Sequence, residues 1–425
     1  MSLETVSATP DQVEAAAPVA GDRLASLDFI RGIAVMGILA ANIVAFGQPF
    51  AAYMYPDAFT TGHGRAEDWM WVAQFVLIDG KMRGLFTLLF GAGMYLFMEK
   101  AWAKGSGRWL QARRLFWLLL FGLVHFYFIW RGDILVLYSI AGFAGLACLR
   151  WAAKTQLIVG LVGYILGALL FAGAMGFPYL VADTPLGQRT EMAETRAGLM
   201  EEQERELADG RAERAIIGEQ SYPDFVRHNF QVHGTDPFVT MFLFLFETLP
   251  LMLIGMALYR MGLFSGGMDP ARQRRWGWAA LIVGGALHLL IGLWALGNGL
   301  TYWGTLAAFM GWSPLPRLPM VLGLAALLAL YGAHASGWLG ERVSAAGRMA
   351  FSNYLGTSIV MLFVFHGWAF GLHGELTRAG LYGIVLAAWI VMLAWSKPWL
   401  ARFRYGPLEW LWRCLTYGKV FSLRR

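Results

Sequence analysis

Ten runs of apolar residues, separated by charged or Gly-rich stretches, divide the chain at about 28–47, 83–98, 115–130, 133–150, 155–177, 237–259, 276–297, 317–335, 349–367 and 380–396. Hydrocarbon offers no hydrogen-bond partner to a free backbone group, so an apolar run approaching about 20 residues predicts a helix that spans a bilayer. The runs are continuous and rich in Leu, Ala and Gly, where the strands of a barrel would alternate polar and apolar positions. The expected fold class is therefore all-α: a polytopic helical membrane protein with about ten transmembrane helices. Residues 69–78 are short and Trp-rich and predict an interfacial or broken helix leading into the second span, and 302–312 is ambiguous in the same way.

Composition agrees with the pattern. Of 425 residues, 57% are hydrophobic and 15% charged, against about 45–50% and about 25% in soluble domains. The 51 glycines and 19 tryptophans suit helices that pack closely through small residues and carry aromatic belts. Pairs such as Gly32…Gly37, Gly91-Ala92-Gly93, Gly163…Gly167 and Gly284-Gly285 read as packing faces. The net charge of +6 lies between the apolar runs and forms no basic face on a soluble module, so no nucleic-acid partner is expected. Cys148 and Cys414 stand apart, outside any disulfide or zinc spacing, and no metal-ligating set is expected.

Lysine and arginine set the orientation. Residues 99–114 carry five basic residues against one acid, 260–275 four against one, and 397–425 seven against one. These connections are expected to be cytoplasmic. Residues 181–235 carry eleven acids and six arginines and are expected on the opposite side, with 191–220 a water-exposed helix. Ten spans then leave both termini cytoplasmic in a bacterial inner membrane. The domain reading is a disordered tail at 1–22, a transmembrane half at 23–180, an acidic extracytoplasmic connection at 181–236, and a second transmembrane half at 237–420 ending in a Trp-rich helix.

Polar side chains inside spans are costly unless paired or facing a wet cavity, so function is sought there. At about 100° per residue, Asp28, Arg31 and Asn42 share one face of the first helix. They form either a helix-terminal acid beside a topogenic arginine or a polar stripe lining a cavity. Asp79, Lys81 and Arg83 cluster before the second long span, as snorkelling anchors or as a site. A short turn at Arg131-Gly132 places His125 and Tyr138 at one depth, about 9 Å below the same surface. Asp133 at the turn is positioned to orient the imidazole. A histidine with an acid and a phenol suits proton transfer to a reacting hydroxyl or amine; a satisfied core histidine is the structural alternative. Glu247 and His288 share a depth near the bilayer centre, as a structural pair or a relay. Arg348, Ser352, Asn353 and Tyr354 open the ninth span, and Glu409 and Arg413, four apart, are spaced for a salt bridge. No phosphate-binding loop, dinucleotide fingerprint, nucleophile elbow or zinc-protease motif is present.

The blocks LASLDFIRGIAVMGILAANI, FVLIDGKMRGLFTLLFGAGM, the hairpin with His125 and Gly132-Asp133-Ile134-Leu135, ETLPLMLIGMALYRMGLF, GRMAFSNYLGTSI and RYGPLEWLWRCLTYGK resemble the signature segments of the YeiB family of bacterial polytopic membrane proteins, over about residues 23–420. The LDFIRG opening also resembles transmembrane acyltransferases such as heparan-α-glucosaminide N-acetyltransferase. That resemblance implies transfer of an acyl group from a cytoplasmic CoA thioester to an acceptor across the membrane. It also implies a reactive histidine in the connection after the first span, where His63 lies.

The leading expectation is thus a membrane-embedded acyltransferase. Asp28, Arg31 and Asn42 would face an acyl-CoA co-substrate, and His125, Asp133 and Tyr138 the acceptor, a small molecule, glycan or lipid. No tightly bound cofactor is expected, and a homodimer is compatible with the reading. The alternatives are a proton-coupled permease using Glu247, His288 and Lys81, and an assembly factor without chemistry.

Overall fold

The computed structural model describes residues 24–62, 64–218 and 221–425; the tail at 1–22 and His63 lie outside the described residues. All ten expected runs are helical. They fall in α1 (Ala25–Gly47), α3 (Lys81–Ala103), α4 (Arg108–Phe128), α5 (Leu135–Cys148), α6 (Ala153–Asp183), α9 (Asp236–Arg260), α10 (Pro270–Gly297), α12 (Pro314–Gly332), α14 (Ala350–Phe365) and α15 (Arg378–Arg402). Between them lie α2 (Arg65–Leu77), α7 (Ala193–Gly218), α8 (Tyr222–Gln231), α11 (Tyr302–Leu306), α13 (Trp338–Arg348) and α16 (Pro407–Tyr417). Among the described residues the only β pairing is an isolated bridge, Phe403 with Arg424.

Among the described residues five helices (α1, α6, α10, α12 and α15) are singly long and apolar enough to cross a membrane, and α13 with α14 forms a sixth bent by 84°. The fewer full spans have physical reasons: α3 and α4 carry several charges within their length, and α5 has only 14 residues. Burial divides the spans into two groups. The apolar window of α1 is 61% buried within the protein, whereas those of α10 and α15 are 22% buried. Leu166, Leu170, Ile282, Leu290 and Ile390 accordingly project outward from α6, α10 and α15, as lipid-facing side chains do.

Glycine sets how closely the central helices approach. A Cβ on Gly91 of α3 would stand 2.1 Å from the Met252 carbonyl oxygen, and one on Gly255 of α9 would stand 1.9 Å from that of Leu88. Each helix thus rests on the other's backbone, as small residues permit in membrane bundles. α9 also packs on α5 and α6, while α10 packs on α12 and α2. The consecutive helices α9 and α10 therefore face different neighbours.

Two irregularities shape the interior. Residues Ala307–Trp312 form a π-helical turn, an arrangement that displaces backbone carbonyls from their usual partners and is frequent at functional sites. The break between α13 and α14 leaves amides at the start of α14, and Glu409 of α16 satisfies them: its carboxylate accepts from Phe351 N at 2.8 Å, Ser352 N at 3.0 Å and Ser352 Oγ at 2.5 Å.

Candidate functional site

A cavity of about 290 Å³ opens among α1, the α4–α5 hairpin, α9, the π turn and the start of α12. Its walls are largely apolar, with Phe50, Tyr53, Phe126, Trp130, Phe244 and Phe309 among them, and its polar lining is Asn42, Arg83, Arg131, Asp133, Asp236, Glu247 and Arg317. This is the usual composition of a ligand site: apolar walls with a few convergent polar groups.

Glu247 of α9 holds two guanidinium groups. Arg83 Nη2 donates to Oε2 at 2.7 Å and Arg317 Nη1 to Oε1 at 3.1 Å. Arg317 is further fixed by Nη2, which donates to the Phe309 carbonyl at 3.0 Å and to Ser313 Oγ; the π turn supplies that carbonyl. Gly80, at φ +71°, makes the turn into α3, and a Cβ there would lie 2.3 Å from Arg317 Nε. A glycine is thus required both by the left-handed backbone and by the arginine. Two permanently charged guanidinium groups share one carboxylate, which leaves the triad itself one positive charge, within a lining that holds three arginines and three acids in all.

The hairpin supplies a second polar unit. Asp133 accepts from Val136 N at 2.8 Å through Oδ1, capping the start of α5, and its Oδ2 lies 2.7 Å from His125 Nδ1. With Nδ1–H donating to the carboxylate, Nε2 carries the lone pair; that atom is buried and has no hydrogen-bond partner. His125 is fully buried behind the cavity wall that Phe126, Trp130 and Asp133 form.

Its neighbour is not the tyrosine expected from depth. Tyr138 turns toward α3, where its hydroxyl bonds Thr87 Oγ1 at 2.8 Å and donates to the Arg83 carbonyl at 3.2 Å, so equal depth did not bring it to His125. The phenol beside the imidazole is Tyr354 of α14, with ring centroids 5.3 Å apart.

The other sequence candidates separate into distinct places. Asp28 and Arg31 form an i,i+3 ion pair at 3.2 Å, while Asn42 lies on the cavity, about 21 Å further along α1 at 1.5 Å per residue. The stripe therefore reaches from one end of the helix to the other, and only Asn42 lines the cavity. Lys81 donates to the Phe75 carbonyl. Asp79 accepts from Gln74 Nε2 at 3.0 Å, and Gln74 Oε1 accepts from the buried Arg378 at 2.7 Å.

Glu247 and His288 do not pair. His288 sits on α10 with Nδ1 3.2 Å from the Gly284 carbonyl and its ring 5.4 Å from that of Phe75, because α12, carrying Arg317, is the neighbour of α10. Asn353 is fully engaged by Ala346 O, Ser396 Oγ and Trp395 Nε1. Arg348 closes α13. Glu409 and Arg413 do not form the expected bridge: the acid caps α14, and the guanidinium stacks on Tyr405, Tyr417 and Phe421. Residues missed from sequence are Arg317, Gln74 and Arg378, and Tyr354, named there only for opening the ninth span, was not assigned to His125. A charge so close to the π turn was the available signal for the first; the others needed the packing.

Above the hairpin, α7 and α8 bring a further group together. Arg131 Nη2 donates to Glu213 at 2.6 Å, and Asp209, His228 and His233 lie beside it. Burial pushes the His228 imidazole below its ordinary value, with His233 adding to the effect, and burial raises the Glu206 carboxyl.

Fold and site together define a polytopic all-α membrane protein built around a largely apolar cavity with a few convergent charged groups. Residues 258–419 match the family described as protein of unknown function (DUF418). The chain is 31% identical over 412 residues to the uncharacterized protein YeiB of Escherichia coli (strain K12), covering 93% of this chain and 96% of that protein. It is also 31% identical over 413 residues to the uncharacterized protein YxaH of Bacillus subtilis (strain 168), covering 93% and 94%. An uncharacterized 39.9 kDa protein encoded in the amylase 3' region of Bacillus acidopullulyticus is 25% identical over 415 residues, covering 96% and 97%. The chain belongs to this YeiB-like DUF418 family. No solved structure matches it.

Proposed function

We propose that the chain is a membrane-embedded acyltransferase that passes an acyl group from a CoA thioester to an acceptor seated in the cavity. The observation that carries the reading is the His125–Asp133 dyad: the carboxylate fixes the tautomer and leaves Nε2 without a partner, which is the arrangement a general base needs. Nε2 takes the proton of an acceptor hydroxyl or amine. The acceptor oxygen or nitrogen then bonds the thioester carbonyl carbon as the carbon–sulfur bond breaks, and the proton passes to the departing thiolate, giving CoA thiol. An acceptor reaches His125 by passing the Phe126 and Trp130 side chains.

The surplus positive charge at Arg83 and Arg317 favours an acceptor bearing a carboxylate or phosphate, and the aromatic walls favour a lipid or glycolipid body. The donor enters from the basic end of the bundle, where Arg31 and Arg114 stand near the α1 terminus. The excess of Lys and Arg in the connections at that end supports a cytoplasmic placement for it and for both termini, in a bacterial inner membrane.

A permease is the second reading, favoured by the buried chain of Asp79, Gln74 and Arg378. Protein reconstituted in liposomes with labelled acetyl-CoA and bacterial lipid extract separates the two. The expected result is release of CoA thiol, falling about 10²–10⁴-fold in His125→Ala while circular dichroism shows that the variant keeps its helical content. No thiol release together with a proton-coupled flux that requires Glu247 would replace the transferase with the permease.

A further inference from the structure

We propose that Asp209, His228 and His233 form a binding site for a divalent transition-metal ion such as zinc at the mouth of the cavity. The three residues come from α7, α8 and the turn after α8, and one ligand atom from each falls within a common 4.8 Å. His228 Nε2 lies 3.7 Å from Asp209 Oδ1, and His233 Nε2 lies 3.5 Å from Asp209 Oδ2. Those separations are too long for hydrogen bonds. They are close to the roughly 3.3–3.5 Å edge of a tetrahedron whose centre is about 2.0–2.2 Å from each N or O ligand.

The ring nitrogens are prepared for this role. Asp236 Oδ2 holds His233 Nδ1 at 2.8 Å, the carboxylate–histidine arrangement that orients a ligand imidazole and leaves Nε2 for the ion. His228 Nε2 is buried with no hydrogen-bond partner. The frame is fixed from below: Asn229 Nδ2 donates to the Tyr127 carbonyl at 3.2 Å, Tyr127 Oη donates to the Gly234 carbonyl at 2.6 Å, and Tyr222 Oη donates to the Phe128 carbonyl at 2.6 Å. These bonds tie α8 and its following turn to the end of α4.

The competing cation is Arg131. Its Nη1 lies 3.1 Å from His233 Nε2 and 3.7 Å from Asp209, while Nη2 remains on Glu213 at 2.6 Å. An ion entering the site displaces the Nη1 contacts and leaves the Glu213 pair. Because Arg131 and Asp236 also line the cavity, occupancy acts on the cavity mouth. Two imidazoles and one carboxylate leave a fourth position for water or for a ligand group. The site stands on α7, α8 and the turn after α8, the cap over the cavity, and does not depend on the chemistry assigned to His125.

The test uses the full chain in detergent, stripped with a chelator and titrated with zinc chloride against a chromophoric zinc indicator. One equivalent per chain is expected, with a rise in unfolding temperature. His228→Ala and Asp209→Asn should each weaken binding at least about tenfold, and Asp236→Asn, which only positions His233, by about 10–100-fold. Arg131→Gln should tighten it. His334→Ala, at an exposed histidine remote from the cap, should change nothing. Circular dichroism and the unfolding temperature of each metal-free variant report whether it folds, and Asp209→Asn keeps the shape of the side chain. Absence of stoichiometric binding to the parent, or binding that survives both His228→Ala and Asp209→Asn, would overturn the proposal.

Discussion

Glu247 and Glu409 are both carboxylates set against an apolar helix bundle, the first buried and the second half-buried, and the structure answers them in opposite ways. Among the described residues Glu409 forms no salt bridge: two backbone amides and a hydroxyl at the start of α14 satisfy it, so its role is to close the break between α13 and α14. Glu247 meets two arginines on two other helices and lies on a cavity. A buried acid with only local donors repairs the backbone, whereas one that gathers long-range cations and leaves their charge unbalanced prepares a place for an anion. The number and origin of the partners distinguish the two more sharply than their difference in burial does.

The largest effect that follows is at Glu247. Glu247→Gln keeps the volume but leaves two guanidinium groups in an apolar interior without their counter-charge. Removing one partner of a buried ion pair typically costs about 3–5 kcal/mol. The purified variant should therefore show the steepest fall in unfolding temperature of any substitution considered, and an added amphiphilic carboxylate should restore part of it. An unchanged transition would show that the triad is open to water, and the contrast with Glu409 would fail.

Next in size is Asp133→Asn, read as rate. The amide can still accept from Val136 N through its oxygen, so α5 keeps its cap. The NH₂ now faces Nδ1 and favours the tautomer in which Nε2 carries the hydrogen. Acyl transfer should drop about 10²–10⁴-fold with little change in stability. Equal loss of both would make Asp133 a cap residue of the same kind as Glu409.

At Glu409 itself, Glu409→Gln should cost about 0.5–2 kcal/mol, the ordinary value of a helix cap, read as a modest downward shift in unfolding temperature with normal turnover. A loss of turnover without destabilisation would move Glu409 into the working part of the molecule.

The positions of these residues were only partly legible in the sequence. All ten helical runs could be read because hydrophobic length is a one-dimensional property, and the His125–Asp133 contact because a short hairpin constrains its own two helices. The partners of Glu247 could not. Depth along a helix follows from counting residues, but which helix lies alongside depends on the packing of α10 against α12 and of α9 against α3, and among the described residues the consecutive helices α9 and α10 do not pair. Tyr138 failed for the related reason that depth says nothing of azimuth, and Tyr354 came instead from a helix more than two hundred residues away. Glu409 looked like half of an i,i+4 pair because the bend at Met349, which creates the amides it caps, has no mark in the apolar pattern.

The smallest effect is expected on α7, where the arrangement at Glu247 appears in reverse. There one arginine serves two acids: Arg205 lies 2.9 Å from Glu201 and 3.3 Å from Glu202, and all three side chains are at least half exposed. Water screens the unequal charge that the bundle interior concentrates, and exposed helix pairs of this spacing contribute about 0.3–0.5 kcal/mol. Arg205→Ala should therefore move the unfolding temperature by no more than the measurement error, and raising the salt concentration should remove even that difference. A shift as large as that of Glu247→Gln would mean that α7 presses its charges against another surface, and that the cap shares the low-dielectric character of the cavity below it.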